Sequence, residues 1–328
     1  MFTAMHSKFQ LSLLACVGFG LAAPDVSQQD SPEVPTGLPR EQLGKVLVAS
    51  AEQVELGRQL FFDPLLSSDR SVSCSSCHSP EHGFADTEPL STGVAGRKTL
   101  RNSPTLLNRA LGRHFMWDGT ASTLEDQVLL PIENPLEMDL PLSDALARLS
   151  ENDDYRSSFD AAYGGPPNKT HLAAALAAFV RRQLHGDSRV DRFRQGEHDA
   201  LTPEERGGMW LFESRAGCWQ CHVGANFTDE DFHNTGVSAA TSSEDTGRRA
   251  VTGKPEDTGA FKTPTLRALA VTAPYMHDGS LTTLEEVVEF YRKGGHPNPD
   301  LDEAVLPIHM SDRDAQNLVA FLRALSDH

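Results

Sequence analysis

The chain has 328 residues and a mass of 35.8 kDa, enough for two domains. Its 39% hydrophobic and 23% charged residues can build a packed core, which excludes a fully disordered chain. Asp and Glu number 46 against 29 Lys and Arg, and the resulting charge of −17 argues against nucleic acid or an anionic membrane as the main partner.

The N-terminus reads as a processing signal, residues 1–23. Its apolar run from Leu11 to Ala23 is too short to span a bilayer and ends in small residues. This predicts a cleaved signal peptide and a periplasmic protein, with lipidation at Cys16 as the alternative. Residues 24–45, rich in Pro, Ser, Gln and Asp, read as a tether. No later stretch is apolar enough to be a transmembrane span.

Apart from Cys16, the cysteines fall in two C-x-x-C pairs, each followed by His: Cys74-Ser75-Ser76-Cys77-His78 and Cys218-Trp219-Gln220-Cys221-His222. C-x-x-C-H is the c-type haem attachment signature: two thiols bond the haem vinyl groups and the adjacent imidazole reaches the iron. A zinc site or a thiol redox pair is the competing reading, which two motifs behind a secretory signal disfavour. A domain at 46–195 would carry the first haem and one at 196–328 the second.

The text after each motif repeats. Arg101-Asn102-Ser103-Pro104-Thr105 resembles Phe261-Lys262-Thr263-Pro264-Thr265, and Met116-Trp117-Asp118-Gly119 resembles Met276-His277-Asp278-Gly279. These segments, and Leu124 with Leu284, share an offset of 160 residues (264 − 104), whereas the motifs are 144 apart (218 − 74). The second half therefore carries about 16 extra residues by this spacing, assigned to the Gly- and Thr-rich loop between His233 and Gly259. Helices are expected at Ala173 to Leu184, amphipathic, at Pro203 to Cys221, and from Ser311 to about Leu325; capping boxes are read at Ser122-x-x-Glu125 and Thr282-x-x-Glu285. The expected fold is all-α, two cytochrome c-like haem domains from an internal duplication.

The halves differ where iron needs a second ligand. Tyr291 aligns with Pro131 at the shared offset. A phenolic oxygen can bind iron and proline cannot, so the second haem reads as capped and the first as open. Met276 and His277 compete with Tyr291 as ligands. Near Pro131 lie Gln127 and Glu137. Alone, Glu137 would read as a solvated carboxylate; beside an open haem it is placed to move a proton. Trp117 stands where the second half has His277. It serves either as core packing or as an electron carrier between haems.

Together these motifs, with Pro131-Ile132-Glu133-Asn134-Pro135-Leu136-Glu137-Met138 and Pro274-Tyr275-Met276-His277-Asp278-Gly279, resemble the bacterial dihaem cytochrome c peroxidase family, MauG-like branch. The resemblance covers nearly all of the chain after residue 45. It implies Glu137 and Gln127 as the distal pair of the peroxidatic haem, Trp117 between the haems, and one calcium ion held by Asn102, Thr272 and Pro274, the last two through carbonyls. Two departures from the peroxidase pattern favour the MauG-like branch. Val94 stands where reductively activated peroxidases carry a distal His, and Tyr291 where they carry a Met ligand. MauG-like enzymes react with peroxide without prior reduction and oxidise a protein substrate over long range. One position is unlike the best-known member of that branch, which has a Trp two residues before its second motif; here it is Ala216, with Trp219 and Trp210 nearby.

The leading expectation is thus an oxidoreductase that takes hydrogen peroxide and a protein substrate. A peroxidase fed by a small redox-protein donor and a non-enzymatic dihaem electron carrier are the alternatives.

Overall fold

The computed structural model describes residues 33–240 and 245–326. The expected signal peptide, residues 1–23, and Cys16 lie outside them.

The described chain is mostly helical. Its helices are α1 (Arg40–Val46), α2 (Ala51–Phe62), α3 (Leu124–Gln127), α4 (Leu130–Glu133), α5 (Leu142–Glu151), α6 (Asp153–Tyr163), α7 (Lys169–Arg181), α8 (Arg189–Arg194), α9 (Pro203–Phe212), α10 (Arg249–Thr252), α11 (Leu284–Arg292) and α12 (Asp312–Ala324). To the all-α expectation the structure adds a two-residue antiparallel pair, β1 (Phe232–His233) with β2 (Phe261–Lys262), in which Phe232 faces Lys262. None of the helices among the described residues is long and apolar enough to cross a membrane.

Two cores repeat one packing device. In the first, α2 crosses α7 at Gly57, where a Cβ would collide with the Ala175 carbonyl oxygen; Leu56, Leu60, Phe61, Leu176 and Phe179 fill the contact. In the second, α9 crosses α12 at Gly208, where a Cβ would collide with the Asn317 carbonyl oxygen, among Leu211, Phe212, Leu318 and Phe321. Glycine lets the two helix backbones touch, which sets each crossing. The turns after the motifs match as well. Phe115 bridges Ala121 and Tyr275 bridges Leu281, with Met116 and Met276 both left-handed at φ 67° and 74°.

Several expectations are corrected. The helix expected at Ala173 to Leu184 begins at Lys169, where the Asn168 side chain accepts from the His171 N–H, and ends at Arg181. It is buried on almost every side through Leu172, Ala173 and Ala175 to Val180, so it is a core helix and not an amphipathic one. The helix expected to reach Cys221 stops at Phe212; the chain turns through residues 213–216, and Gly217, left-handed at φ 72°, starts a separate 3₁₀ turn over Cys218–Gln220. The caps of α3 and α11 are Thr123 and Thr283, one residue later than expected; the hydroxyls accept from the Asp126 and Glu286 N–H groups. The stretch read as a tether, residues 24–45, packs from Val34 onward. Val34, Leu38 and Leu43 form a small core with Leu47 and Ala110, which residue composition alone does not reveal.

Ion pairs link the chain segments. Arg267 and Asp191, 0% and 3% exposed in their side chains, form a two-bonded pair at 2.7 and 2.9 Å. Arg101 joins Asp118 and Asp245, each at 2.7 Å. Arg109 meets Glu230 at 2.8 Å.

Candidate haem sites

The first motif forms a 3₁₀ turn, Cys74–Ser76, opened by Ser73, whose N–H donates to Ser76 Oγ at 3.0 Å. The His78 N–H donates to the Cys74 carbonyl at 3.0 Å, so the imidazole leaves the turn beside both thiols. His78 Nδ1 lies 3.0 Å from the Phe84 carbonyl, which can only accept. The proton therefore sits on Nδ1 and leaves Nε2 free as a ligand. Burial lowers the His78 pKa, favouring the neutral ring that iron needs.

A cavity of about 60 Å³ lies against this turn and brings His78 together with Gln127, Pro131 and Glu137. Pro131 sits within α4, and the turn after α4 presents Glu137. Asn134 Nδ2 donates to Glu137 Oε1 at 2.6 Å, but burial outweighs this and raises the carboxyl pKa. Gln127 Nε2 approaches Met116 Sδ at 3.8 Å.

The second motif repeats the geometry. His222 Nδ1 lies 2.9 Å from the Phe227 carbonyl, and burial again favours the neutral ring. Its cavity is larger, about 240 Å³, and mostly apolar, and Tyr291 and Met276 both line it. Burial raises the Tyr291 phenol pKa, against a smaller lowering by its hydrogen bond with Thr235. The phenolate therefore needs a cation in the cavity. His277 is otherwise engaged: Nε2 lies 3.2 Å from Ser238 Oγ, and the ring stacks on Phe261 at 3.6 Å.

Both cavities carry the donor set that a covalently attached haem requires. Each joins two thiols, one neutral imidazole with a free Nε2, and an apolar wall. Burial pushes the Cys74 and Cys218 thiols up to about 12 and Cys77 to about 11, the opposite of a reactive redox pair. Among the described residues one group of metal-ligand side chains converges, Cys221 with Asp229 and His233, and it pairs no second cysteine as a zinc–thiolate site would.

Trp117 lines the second cavity edge-on to His277, with ring centres 6.4 Å apart. Its Nε1 donates to the Asn102 carbonyl at 2.8 Å, and its own carbonyl accepts from the Lys262 N–H at 2.7 Å. Asn102, Thr272 and Pro274 line the same cavity. Asn102 Nδ2 donates to the Glu88 and Pro89 carbonyls at 3.2 and 3.3 Å, which leaves Oδ1 as the oxygen for a cation.

Three features escaped the sequence. His233 Nδ1 and Nε2 lie 2.6 and 3.0 Å from Asp302 and Asp229, and these contacts, with Cys221, raise its pKa to about 11. Thr235 meets Tyr291. Lys262 is a buried cation on the second cavity wall. The first had a partial signal, the four-residue spacing of Asp229 and His233; the others had none. The carbonyls that orient His78 and His222 belong to a further repeated pair, Phe84-Ala85-Asp86 and Phe227-Thr228-Asp229.

A family model described as di-haem cytochrome c peroxidase matches residues 51–199. The methylamine utilization protein MauG of Methylorubrum extorquens is 38% identical, over 96% of this chain and 90% of that one. The cytochrome-c peroxidase IdrP2 of Denitromonas iodatirespirans is 35% identical over 99% and 94%. The crystal structure of a MauG-like protein associated with microbial copper homeostasis superposes with a TM-score of 0.79 at 33% identity, covering 94% of this chain and 96% of the other.

Proposed function

The chain belongs to the di-haem cytochrome c peroxidase family, whose relatives carry both MauG and peroxidase names, and we propose that it reduces hydrogen peroxide at its first haem site and oxidises a protein substrate through its second. It is an enzyme, an oxidoreductase acting on peroxide. The observation that carries the finer reading is the asymmetry of the cavities: Pro131 with Glu137 and Gln127 in one, Tyr291 in the other.

His78 Nε2 and His222 Nε2 would each hold an iron, and Tyr291 would cap the second. Two c-type haems supply the redox-active iron at which peroxide is reduced and from which oxidising equivalents pass onward. At the first site Pro131, which lines the cavity with His78, has no side-chain donor to offer an iron that His78 would hold. Glu137, buried and raised in pKa, takes the proton from peroxide and returns it to the departing oxygen. Gln127 offers an amide donor to the same space. Two protons and two electrons convert one peroxide into two waters, so the substrate yields two electrons, one at a time.

Trp117 bridges the sites. Its N–H faces a backbone carbonyl, which cannot take the proton, so electron transfer through the indole needs no proton movement. At the second site Trp219, 49% exposed between Cys218 and Cys221, gives electrons from the substrate their way in. Ala216, buried on the cavity wall, offers no ring there. The matching helix crossings and turns support an internal duplication, with domains at 46–195 and 196–328. Residues 1–23 act as the signal peptide of a periplasmic protein, and Asn102, Thr272 and Pro274 hold a calcium ion.

Stoichiometric peroxide added to the fully oxidised two-haem protein tests this, followed by visible, near-infrared and EPR spectra. Rapid loss of the ferric signals with a near-infrared band supports the reading. No reaction until one iron is reduced would mean a reductively activated peroxidase fed by a small donor protein. No reaction in either state would leave an electron carrier.

A further inference from the structure

The second cavity carries a surplus buried charge. Glu230, buried, already has its carboxylate engaged: Arg109 donates to Oε1 at 2.8 Å and to Oε2 at 3.1 Å, and the Arg113 N–H donates to Oε2 at 3.1 Å. Lys262 Nζ stands 3.5 Å from Oε1 and donates to the Thr263 carbonyl at 3.2 Å. An ammonium has three protons to donate. Two cations thus share Glu230 beside a mostly apolar cavity, the other anion near Lys262, Asp229, being paired with His233, and Lys262 is 8% exposed. A buried ammonium with an incomplete shell is costly unless a further acceptor completes it. Burial and the Arg109 charge bring its pKa down to about 8, the response of an amine short of a counter-ion.

The space that Lys262 lines is the one between His222 and Tyr291. Among the described residues no Lys or Arg lines the first cavity, and the equivalent position at the shared offset is Asn102. We propose that Lys262 binds a carboxylate of the haem attached by the second motif, as the anion missing from the Arg109–Glu230–Lys262 cluster. This rests on the reading of that motif as a haem site. The pair would tie the second haem to β2 and, through Glu230 and Arg109, to the segment following the first motif. It also gives the second iron a positive neighbour that the first lacks.

Spectroelectrochemistry on the two-haem protein tests this, after a haem assay establishes two attached haems. Lys262→Gln keeps a donor for the Thr263 carbonyl and removes the charge. Loss of a cation and exposure of the haem carboxylate both favour ferric iron, so the second haem's potential should fall while the first is unchanged. Lys262→Arg should restore it, and the propionate bending band in resonance Raman should shift in Lys262→Gln and return in Lys262→Arg. An unchanged second potential, or equal shifts at both haems, would overturn the proposal. Absence of a second haem in the unmodified protein would instead remove the haem reading and this inference with it.

Discussion

The backbone N–H of Val94 donates to the carbonyl oxygen of Glu137 at 2.8 Å. The loop carrying Val94 is thereby tied to the turn that presents the carboxylate. Val94 is 4% exposed and belongs to the first core, so the loop is anchored from both sides. Gly93 completes the contact: a Cβ there would collide with the Leu136 carbonyl oxygen. The loop where reductively activated relatives place a ligand is here part of the support for Glu137.

Gly93→Ala should therefore disturb Glu137 without touching it. Forcing a methyl group into a packed contact costs about 1–3 kcal/mol. Urea unfolding should show that loss, and the peroxide rate should fall with it. A stable Gly93→Ala variant with an unaltered peroxide rate would separate the loop from the site.

Glu137→Gln should slow the peroxide reaction by about a hundredfold or more, the usual worth of a positioned acid–base group. Because burial raises the carboxyl pKa, the rate should climb with pH through a midpoint above the ordinary carboxylate range, as the group becomes a base. Stopped-flow rates across pH should lose that limb in the variant.

How much of this was legible follows from which residues act locally. The two haem motifs were readable because Cys, Cys and His must be covalent neighbours, and Tyr291 against Pro131 because the repeats keep one offset. The caps at Thr123 and Thr283 slipped by one residue, since adjacent Ser122-Thr123 and Thr282-Thr283 offer two equivalent hydroxyls. α9 ends at Phe212, and the left-handed Gly217 beyond it separates the helix from the motif's own turn, a break that the helical pattern hides. Lys262 was invisible because a charge surplus arises only when Arg109, Glu230 and Lys262, distant in sequence, meet in space. The burial of Leu43 likewise depends on Ala110, far along the chain.

Tyr291→His should raise the potential of the second haem and change its visible and EPR spectra, because a neutral imidazole favours ferric iron less than a phenolate does. Haem-free protein should show no tyrosinate absorbance from Tyr291 at neutral pH, since burial keeps the phenol protonated. An unaltered haem spectrum in the variant would remove Tyr291 as a ligand.

Trp219→Phe should leave the peroxide reaction unchanged and slow the return of the oxidised protein to its resting state by an external protein donor. Trp210, 60% exposed on α9 and covered on one face by Arg215, is the control: Trp210→Phe should change neither rate. Equal slowing by both variants would point to a docking surface and not to a path through Trp219.

Asp191→Asn should destabilise the protein by about 3–5 kcal/mol, because it leaves the Arg267 guanidinium buried without its counter-ion. Burial pushes the Asp191 carboxyl up, but Arg267 and Ser188 outweigh it and hold the pKa below the ordinary value. A carboxyl lowered on folding stabilises fully above its unfolded value, about 3.9, and that stability is lost as pH falls through the folded value. The difference between unmodified and Asp191→Asn protein in urea should therefore be flat from pH 7 to about 5 and narrow only in stronger acid. A difference that narrowed on the alkaline side instead would mean that another group controls the pair.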